Sequence, residues 1–500
     1  MGNRVKIIGA GIAGLSAGCY LQMNGYETEI YELHNIPGGL CTGWERMGYT
    51  FDGCVHWLAG SSPESNFYPL WNELINMKRQ KFVDHKIYNR IWDKNGEDFI
   101  DFFTDVDKLE AELLKKAPED SSEIRSFTGS IRKLKTLNLP VEKAREVMGL
   151  ADGMKALFGF LPYIGTFKKW HKLSIADFAA RFKNPLLREG IRSLFIPDMA
   201  MLFIIMNMSW MANRAAGYPI GGSLTFARNI ATRYEKLGGK IFYNHRVEEI
   251  LTYEGKAKGI KLNDGTERSA DYVISAADGY TTIFNMLDGK FKDKKTEKCF
   301  SEYKVFPSFL QVSLGLKREM KELEPNQAIA IPEGLKIDNT TNLDYLGIRI
   351  FNFDNTMAAK GKTTITALIP THNYKYWVDL KASDSRKYRA EKKRISDEVI
   401  EILDNKFGDI KKNTEVTDVS TPASVIRYTG NWKGSFEGWI LTPELGFGQM
   451  DKTLPGLDRF YMIGQWVEPA GGIPHVMMSG RAVAQIICKK DHKEFNTKSF

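Results

Sequence analysis

The stretch Arg4-Val5-Lys6-Ile7-Ile8-Gly9-Ala10-Gly11-Ile12-Ala13-Gly14-Leu15-Ser16-Ala17-Gly18 decides how this chain is read. An apolar strand over residues 5–8 runs straight into three glycines spaced G-x-G-x-x-G, and alanine and leucine at helical spacing follow through Leu21. Each glycine has its own task. Gly9 makes the tight turn, Gly11 lets the backbone approach a pyrophosphate, and Gly14 lets helix and strand pack closely. The helix start, with Ala13 in its first turn, offers free N–H groups and the positive end of its dipole to phosphates. A second strand, Thr28-Glu29-Ile30-Tyr31-Glu32, ends in an acid 18 residues past Gly14. A carboxylate there accepts hydrogen bonds from ribose hydroxyls. Glycine spacing alone is weak evidence; strand, turn, helix, strand and acid in that order predict a dinucleotide-binding unit.

The residues that follow bear on which dinucleotide. After Glu32 come Ile36-Pro37-Gly38-Gly39-Leu40-Cys41-Thr42 and Gly48-Tyr49-Thr50-Phe51-Asp52-Gly53. This resembles the second half of the FAD motif in two-domain flavoproteins of the amine oxidase and phytoene desaturase superfamily. The resemblance implies FAD, with Gly38 and Gly39 beside the pyrophosphate and Leu40 on the loop that reaches towards the flavin. Many members carry Arg directly after the glycine pair, where this chain has Leu40.

Two later segments resemble the same family. Pro219-Ile220-Gly221-Gly222 opens an amphipathic helix that ends at Gly238-Gly239, and His245-Arg246-Val247 follows a short strand. The resemblance implies that this arrangement returns the chain to the FAD domain, with the Val247 backbone at the adenine. Near the C-terminus, Arg459-Phe460-Tyr461-Met462-Ile463-Gly464 leads into Gly471-Gly472-Ile473-Pro474 and a helix over residues 476–487. A glycine pair with Pro at the first helical position makes another helix start aimed at an anion. In the family this is the closing FAD motif, which faces the flavin edge where negative charge develops on reduction. Phe51-Asp52-Gly53-Cys54-Val55-His56-Trp57 is similar to a pattern of the carotenoid isomerase and retinol saturase branch. The resemblance is strong at both termini and near residue 220, and weak through 80–210 and 290–420.

The expected fold is therefore α/β plus α+β. It combines a Rossmann-like FAD-binding domain built from discontinuous segments (1–75, 215–290 and 420–500), an antiparallel-sheet substrate domain (76–105 and 291–419) and a helical apolar insert (106–214). Within the insert, helices are expected over 108–116, 122–139 and 141–150, and greasy stretches over 154–164 and 195–211. The second stretch carries Met199, Met201, Met206, Met208 and Met211 with Phe203 and Trp210. Methionine suits an adaptable apolar pocket and equally a helical core. Phe167-Lys168-Lys169-Trp170-His171-Lys172 interleaves bases and aromatics, a composition that suits a membrane interface as well as an ordinary charged surface.

Composition narrows the function classes. A net charge of +8 spread over 500 residues, without a zinc-finger or RNP-type motif, argues against nucleic acid. The five cysteines form no CxxC pair and fit a reducing compartment, and the eight histidines show no metal-ligand spacing, so no metal is expected. No apolar run reaches the roughly 18 residues a bilayer span needs. The expectation is a cytoplasmic protein, or one resting peripherally on a membrane.

A flavin moves a hydride or electrons, and the protein supplies binding, orientation and exclusion of water. The candidates for an acid or base on the substrate side are His56, Glu468 and His475. His475, beside a helix start, is expected to be neutral. Gly446-Phe447-Gly448 lacks a third glycine, so a separate NAD(P)H domain is not expected. Electrons then pass through a transient NAD(P)H, a quinone, oxygen or another protein. The expected activity is desaturation, saturation or isomerisation of C=C bonds in a lipophilic molecule such as a carotenoid, retinoid or unsaturated fatty acid. A flavin amine oxidase on the same fold and a non-catalytic flavin- or lipid-binding protein are the alternatives.

Overall fold

The computed structural model describes residues 3–445, 450–468 and 471–500. The reading of Gly446-Phe447-Gly448 lies outside the described residues. The first strand, Arg4–Ile8, occupies the middle of a five-stranded sheet in the order Lys240–Tyr243, Glu27–Glu32, Arg4–Ile8, Tyr272–Ser275, Phe460–Met462. Each pairing in it is parallel. Val5, Ile7 and Ile8 are buried, as are Val273 and Ile274 beside them, which is why these strands read as apolar runs rather than as alternation.

Two helices cross tightly over this sheet. The fingerprint helix Ile12–Met23 and the closing helix Ile473–Lys490 meet where Gly480 lies against the Ala13 carbonyl and Ser16, an approach that any Cβ at Gly480 would block. Ser16 Oγ donates to the Met477 carbonyl at 2.9 Å across the same contact. A buried ion pair, Arg481 Nε to Glu73 Oε2 at 3.1 Å, with Tyr20 Oη donating to Glu73 at 2.7 Å, fixes the crossing.

The second sheet has seven strands in the order Thr414–Ser420, Ser308–Leu316, Thr363–Thr371, Asn342–Ile350, Asn326–Lys336, Ile87–Trp92, Phe99–Phe103. Its pairings are antiparallel save the one between Asn326–Lys336 and Ile87–Trp92. The charged helix Ser385–Phe407 covers one face, burying Ile395, Val399 and Leu403.

Residues 106–212 are helical, with cores of Leu109, Ile124, Phe127, Ile131, Phe178 and Ile191. The stretch 141–150 departs from expectation: it holds only a short 3-10 turn, Arg145–Val147, before the helix Leu150–Phe160 begins. Side chains of the closing helix take its backbone groups. Gln485 accepts from the Ala144 N–H at 2.8 Å, and Gln485 and Arg481 both donate to the Glu142 carbonyl. Trp170 is also corrected. It is fully buried, with Nε1 donating to Ser130 Oγ at 2.7 Å, so it does not sit at a surface where it would meet headgroups.

Candidate functional site

One cavity of about 900 Å³ runs between the two sheets and the helical insert. Gly9, Gly11, Ala13, Glu32, Gly38, Gly39, Leu40, Val247, Gly464, Gly471, Gly472 and Ile473 line it, together with His56, Glu468 and His475. Gly14 does not. A Cβ there would overlap the Gly9 carbonyl oxygen, so this glycine serves the packing of helix on strand.

The glycine-lined end has the form of a cradle. Gly9, with φ of +97°, turns the chain off the sheet, and the Gly38 N–H donates to the Ala10 carbonyl at 2.9 Å, bringing Gly38 and Gly39 alongside Gly11. A Cβ at Gly11 would have nothing closer than the Gly38 carbonyl at 3.9 Å, so this face of the turn is open space. Among the described residues, no side chain caps the start of the fingerprint helix, which begins after Gly11, or of the closing helix, which begins after Gly472. Each therefore presents uncapped backbone N–H groups. Two such starts on one cavity, both built from glycine, fit a bound pyrophosphate and a polar ring edge. Glu32 is buried, and its carboxylate accepts from the Ala10 N–H at 2.7 Å and the His34 N–H at 2.8 Å. Burial raises its pKa, and these amides oppose the shift.

Glu468 pairs with Lys452 Nζ at 2.9 Å, a lysine that also reaches Glu146 at 3.3 Å. His475 is kept neutral mainly by burial, opposed by the Glu468 charge and by a hydrogen bond to the Gly471 backbone carbonyl. His56 is surrounded by protein, but its side chain is exposed to the cavity it lines, its ring edge-on to Trp57 at 6.0 Å. Burial, then the Arg349 charge, then His85 hold its pKa well below the usual imidazole value.

Three residues on this wall escape the sequence reading. Arg349 is buried at 5% exposure in the strand Asn342–Ile350, and its one signal is a lone base inside the apolar run Ile348-Arg349-Ile350. His85 carries no motif. Glu437 lies against Gly471, where a Cβ would overlap its Oε2, and that oxygen has no hydrogen-bond partner among the described residues. Burial pushes the Glu437 pKa up to about 8, opposed by the Gly472 amide.

Beyond the cradle the lining mixes polar groups such as Asp84, Asn89 and Gln327 with a large apolar share: Trp57, Phe195, Phe203, Met206, Phe309 and Phe436. Met206 and Met211 thus line the cavity, whereas Met199, Met201 and Met208 are core. A dinucleotide cradle continuous with an apolar chamber defines a flavin oxidoreductase.

The chain belongs to the family described as flavin containing amine oxidoreductase, whose model matches residues 12–488. It is an enzyme of that class, with flavin, FAD in this family, as its cofactor. Among curated proteins it is 24% identical over 497 residues to the chloroplastic prolycopene isomerase of Arabidopsis thaliana, covering 95% of this chain and 80% of that one. It is 23% identical over 508 residues to the lycopene-forming phytoene desaturase of a Paracoccus species, covering 96% of each. Among solved structures, a putrescine oxidase bound to putrescine matches with a TM-score of 0.61 at 14% identity, covering 98% of this chain and 99% of that one. An oxidoreductase from Methanosarcina mazei matches with a TM-score of 0.58 at 17% identity, covering 96% and 100%. These structural likenesses are likenesses of fold.

Proposed function

We propose that this enzyme desaturates, saturates or isomerises C=C bonds of a lipophilic, polyene-like molecule. The observation that carries the reading is the continuity of the glycine cradle with a chamber walled by Trp57, Phe195, Phe203, Met206, Phe309 and Phe436. The carotenoid-acting names of the relatives in Arabidopsis and Paracoccus support it. Bound flavin supplies hydride or electron transfer. The chain's own residues would hold the cofactor at Gly9, Gly11, Gly38, Gly39, Gly471 and Gly472. The aromatic walls orient an apolar chain and exclude water, and His56 presents a neutral imidazole to it. Electrons enter or leave through a transient NAD(P)H, a quinone or a protein partner.

Visible spectra of the anaerobic holoenzyme test this. Bleaching of the flavin band by a polyene or unsaturated lipid is the expected result for a desaturase. Bleaching by NAD(P)H alone, followed by lipid-dependent reoxidation or isomerisation, is expected for a saturase or isomerase. Hydrogen peroxide release with amines, and no response to any lipid, would select the amine oxidase instead.

A lipid substrate has to be drawn from a membrane, and the helix Leu150–Phe160 is suited to resting on one. It buries no residue, and Leu150 and Phe158 are 91% and 67% exposed. Met154, Leu157 and Leu161 are exposed at matching helical spacing. Lys155, Lys168, Lys169 and Lys172 are exposed nearby in sequence, and Phe167 reaches the cavity wall. Among the described residues no helix is long and apolar enough to cross a membrane. The protein is expected to float with anionic liposomes, and Leu157→Glu with Phe158→Glu is expected to leave it in the pellet. Equal flotation of the two forms would remove this helix from the account.

A further inference from the structure

We propose that the corner of the cavity formed by Arg349, His56 and His85 binds a carboxylate head group of an otherwise apolar substrate. The inference deepens the lipophilic-substrate reading and rests on it.

Arg349 carries it. The guanidinium is buried, and three of its N–H donors are spent on neutral acceptors: Asn326 Oδ1 at 3.0 Å, the Val55 carbonyl at 2.7 Å and the His56 carbonyl at 2.8 Å. The remaining donors have no protein acceptor among the described residues. No carboxylate lies within ion-pair distance of it among the described residues either. Asp52, the acid whose charge reaches Arg349, spends its oxygens elsewhere. It accepts from the Ser223 N–H and Tyr218 Oη, each at 3.0 Å, from the Cys54 N–H at 3.1 Å and from the Ser223 hydroxyl. A buried cation without an ion pair is costly, and the usual resolution is a counter-ion.

The neighbours point the same way. His85 has a buried Nε2 without any hydrogen-bond partner among the described residues, its ring held edge-on to Phe353 at 4.6 Å. Burial and the Arg349 charge push its pKa down to about 3, so its imidazole is neutral and adds no negative charge. His56 is neutral for the same two reasons and faces the cavity. Neutral imidazoles can each donate one N–H. The corner therefore combines one fixed positive charge with donors that lack acceptors, in a cavity that also carries the aromatic and aliphatic walls of Trp57, Phe195, Phe203 and Met206. A pure hydrocarbon leaves the free Arg349 donors and the His85 Nε2 unsatisfied. A carboxylate satisfies them, and Arg is the residue whose planar fork matches it.

Two probe pairs test this on the FAD-loaded full chain: oleic acid against methyl oleate, and retinoic acid against methyl retinoate, each titrated by perturbation of the flavin spectrum. The acids are expected to bind on the order of tenfold to a hundredfold more tightly than their esters, the scale of charge-assisted hydrogen bonding. Arg349→Met is expected to erase that preference and Arg349→Lys to retain part of it. The comparison of acid with ester in the unmodified enzyme stands even where the Arg349 variants fail to fold. Equal affinities within each pair overturn the carboxylate site while leaving the lipophilic-substrate reading in place. Failure of all four probes to perturb the flavin overturns both.

Discussion

Gly11→Val is expected to leave the apoprotein folded and to abolish FAD retention. The two halves of that result have separate causes. A Cβ at Gly11 meets nothing closer than 3.9 Å in the protein, and its backbone, with φ of −69°, is one any residue adopts. The fold therefore has no reason to reject valine. The added methyls project over the cradle between Gly11 and Gly38, where the pyrophosphate would lie. The purified variant should show a melting temperature within a few degrees of the apoprotein and no flavin band after reconstitution. Gly14→Ala is the control with the opposite signature. Its Cβ would overlap the Gly9 carbonyl, and overpacking of this kind costs about 1–3 kcal/mol or more. It should lower stability before cofactor enters the question. Full flavin occupancy in Gly11→Val would refute the assignment of the cradle.

The second large effect is expected at Glu437, and its sign follows from the direction of the shift. An ordinary glutamic acid ionises at 4.5, whereas burial holds Glu437 protonated to about 8 in the folded chain. Below pH 4.5 both states carry the proton, and the group costs nothing. Between 4.5 and 8 the unfolded chain releases it and the folded chain does not, so the apoprotein loses stability as pH rises through that window. Above 8 the loss levels off. Each pH unit of the window is worth about 1.4 kcal/mol at most, which places the total on the order of a few kcal/mol. Glu437→Gln removes the titration and keeps the shape. Chemical denaturation of the apoprotein should show the variant gaining on the parent from pH 5 to 8. Parallel stability curves would mean that Glu437 is ionised at neutral pH and is paired in solution.

Much of this molecule is legible in its sequence because much of it is local. The turn at Gly9, the helix start after Gly11, the acid Glu32 and the glycine pairs at 38–39 and 471–472 are each dictated by backbone geometry within a few residues, and each carries a spacing that can be read. Strand type follows as well, since strands buried on both faces must be apolar throughout, as Arg4–Ile8 and Tyr272–Ser275 nearly are. The helix misread over 141–150 marks one limit: its backbone is claimed by Arg481 and Gln485, more than 300 residues away in the chain. Trp170 marks another, because a lysine-rich flank does not reveal that the ring turns inward onto Ser130. The chemistry of the cavity wall outside the cradle lies beyond local reading altogether. Arg349, His85 and Glu437 belong to three distant segments and have no spacing to betray them. Only the closing of the seven-stranded sheet over the dinucleotide cradle brings Arg349 to the carbonyls of Val55 and His56, and burial, with the Arg349 charge at the two histidines, sets the charge states of His56, His85 and Glu437. A cofactor fingerprint is written in backbone and survives as sequence; a substrate site is written in long-range burial and exists only in the fold.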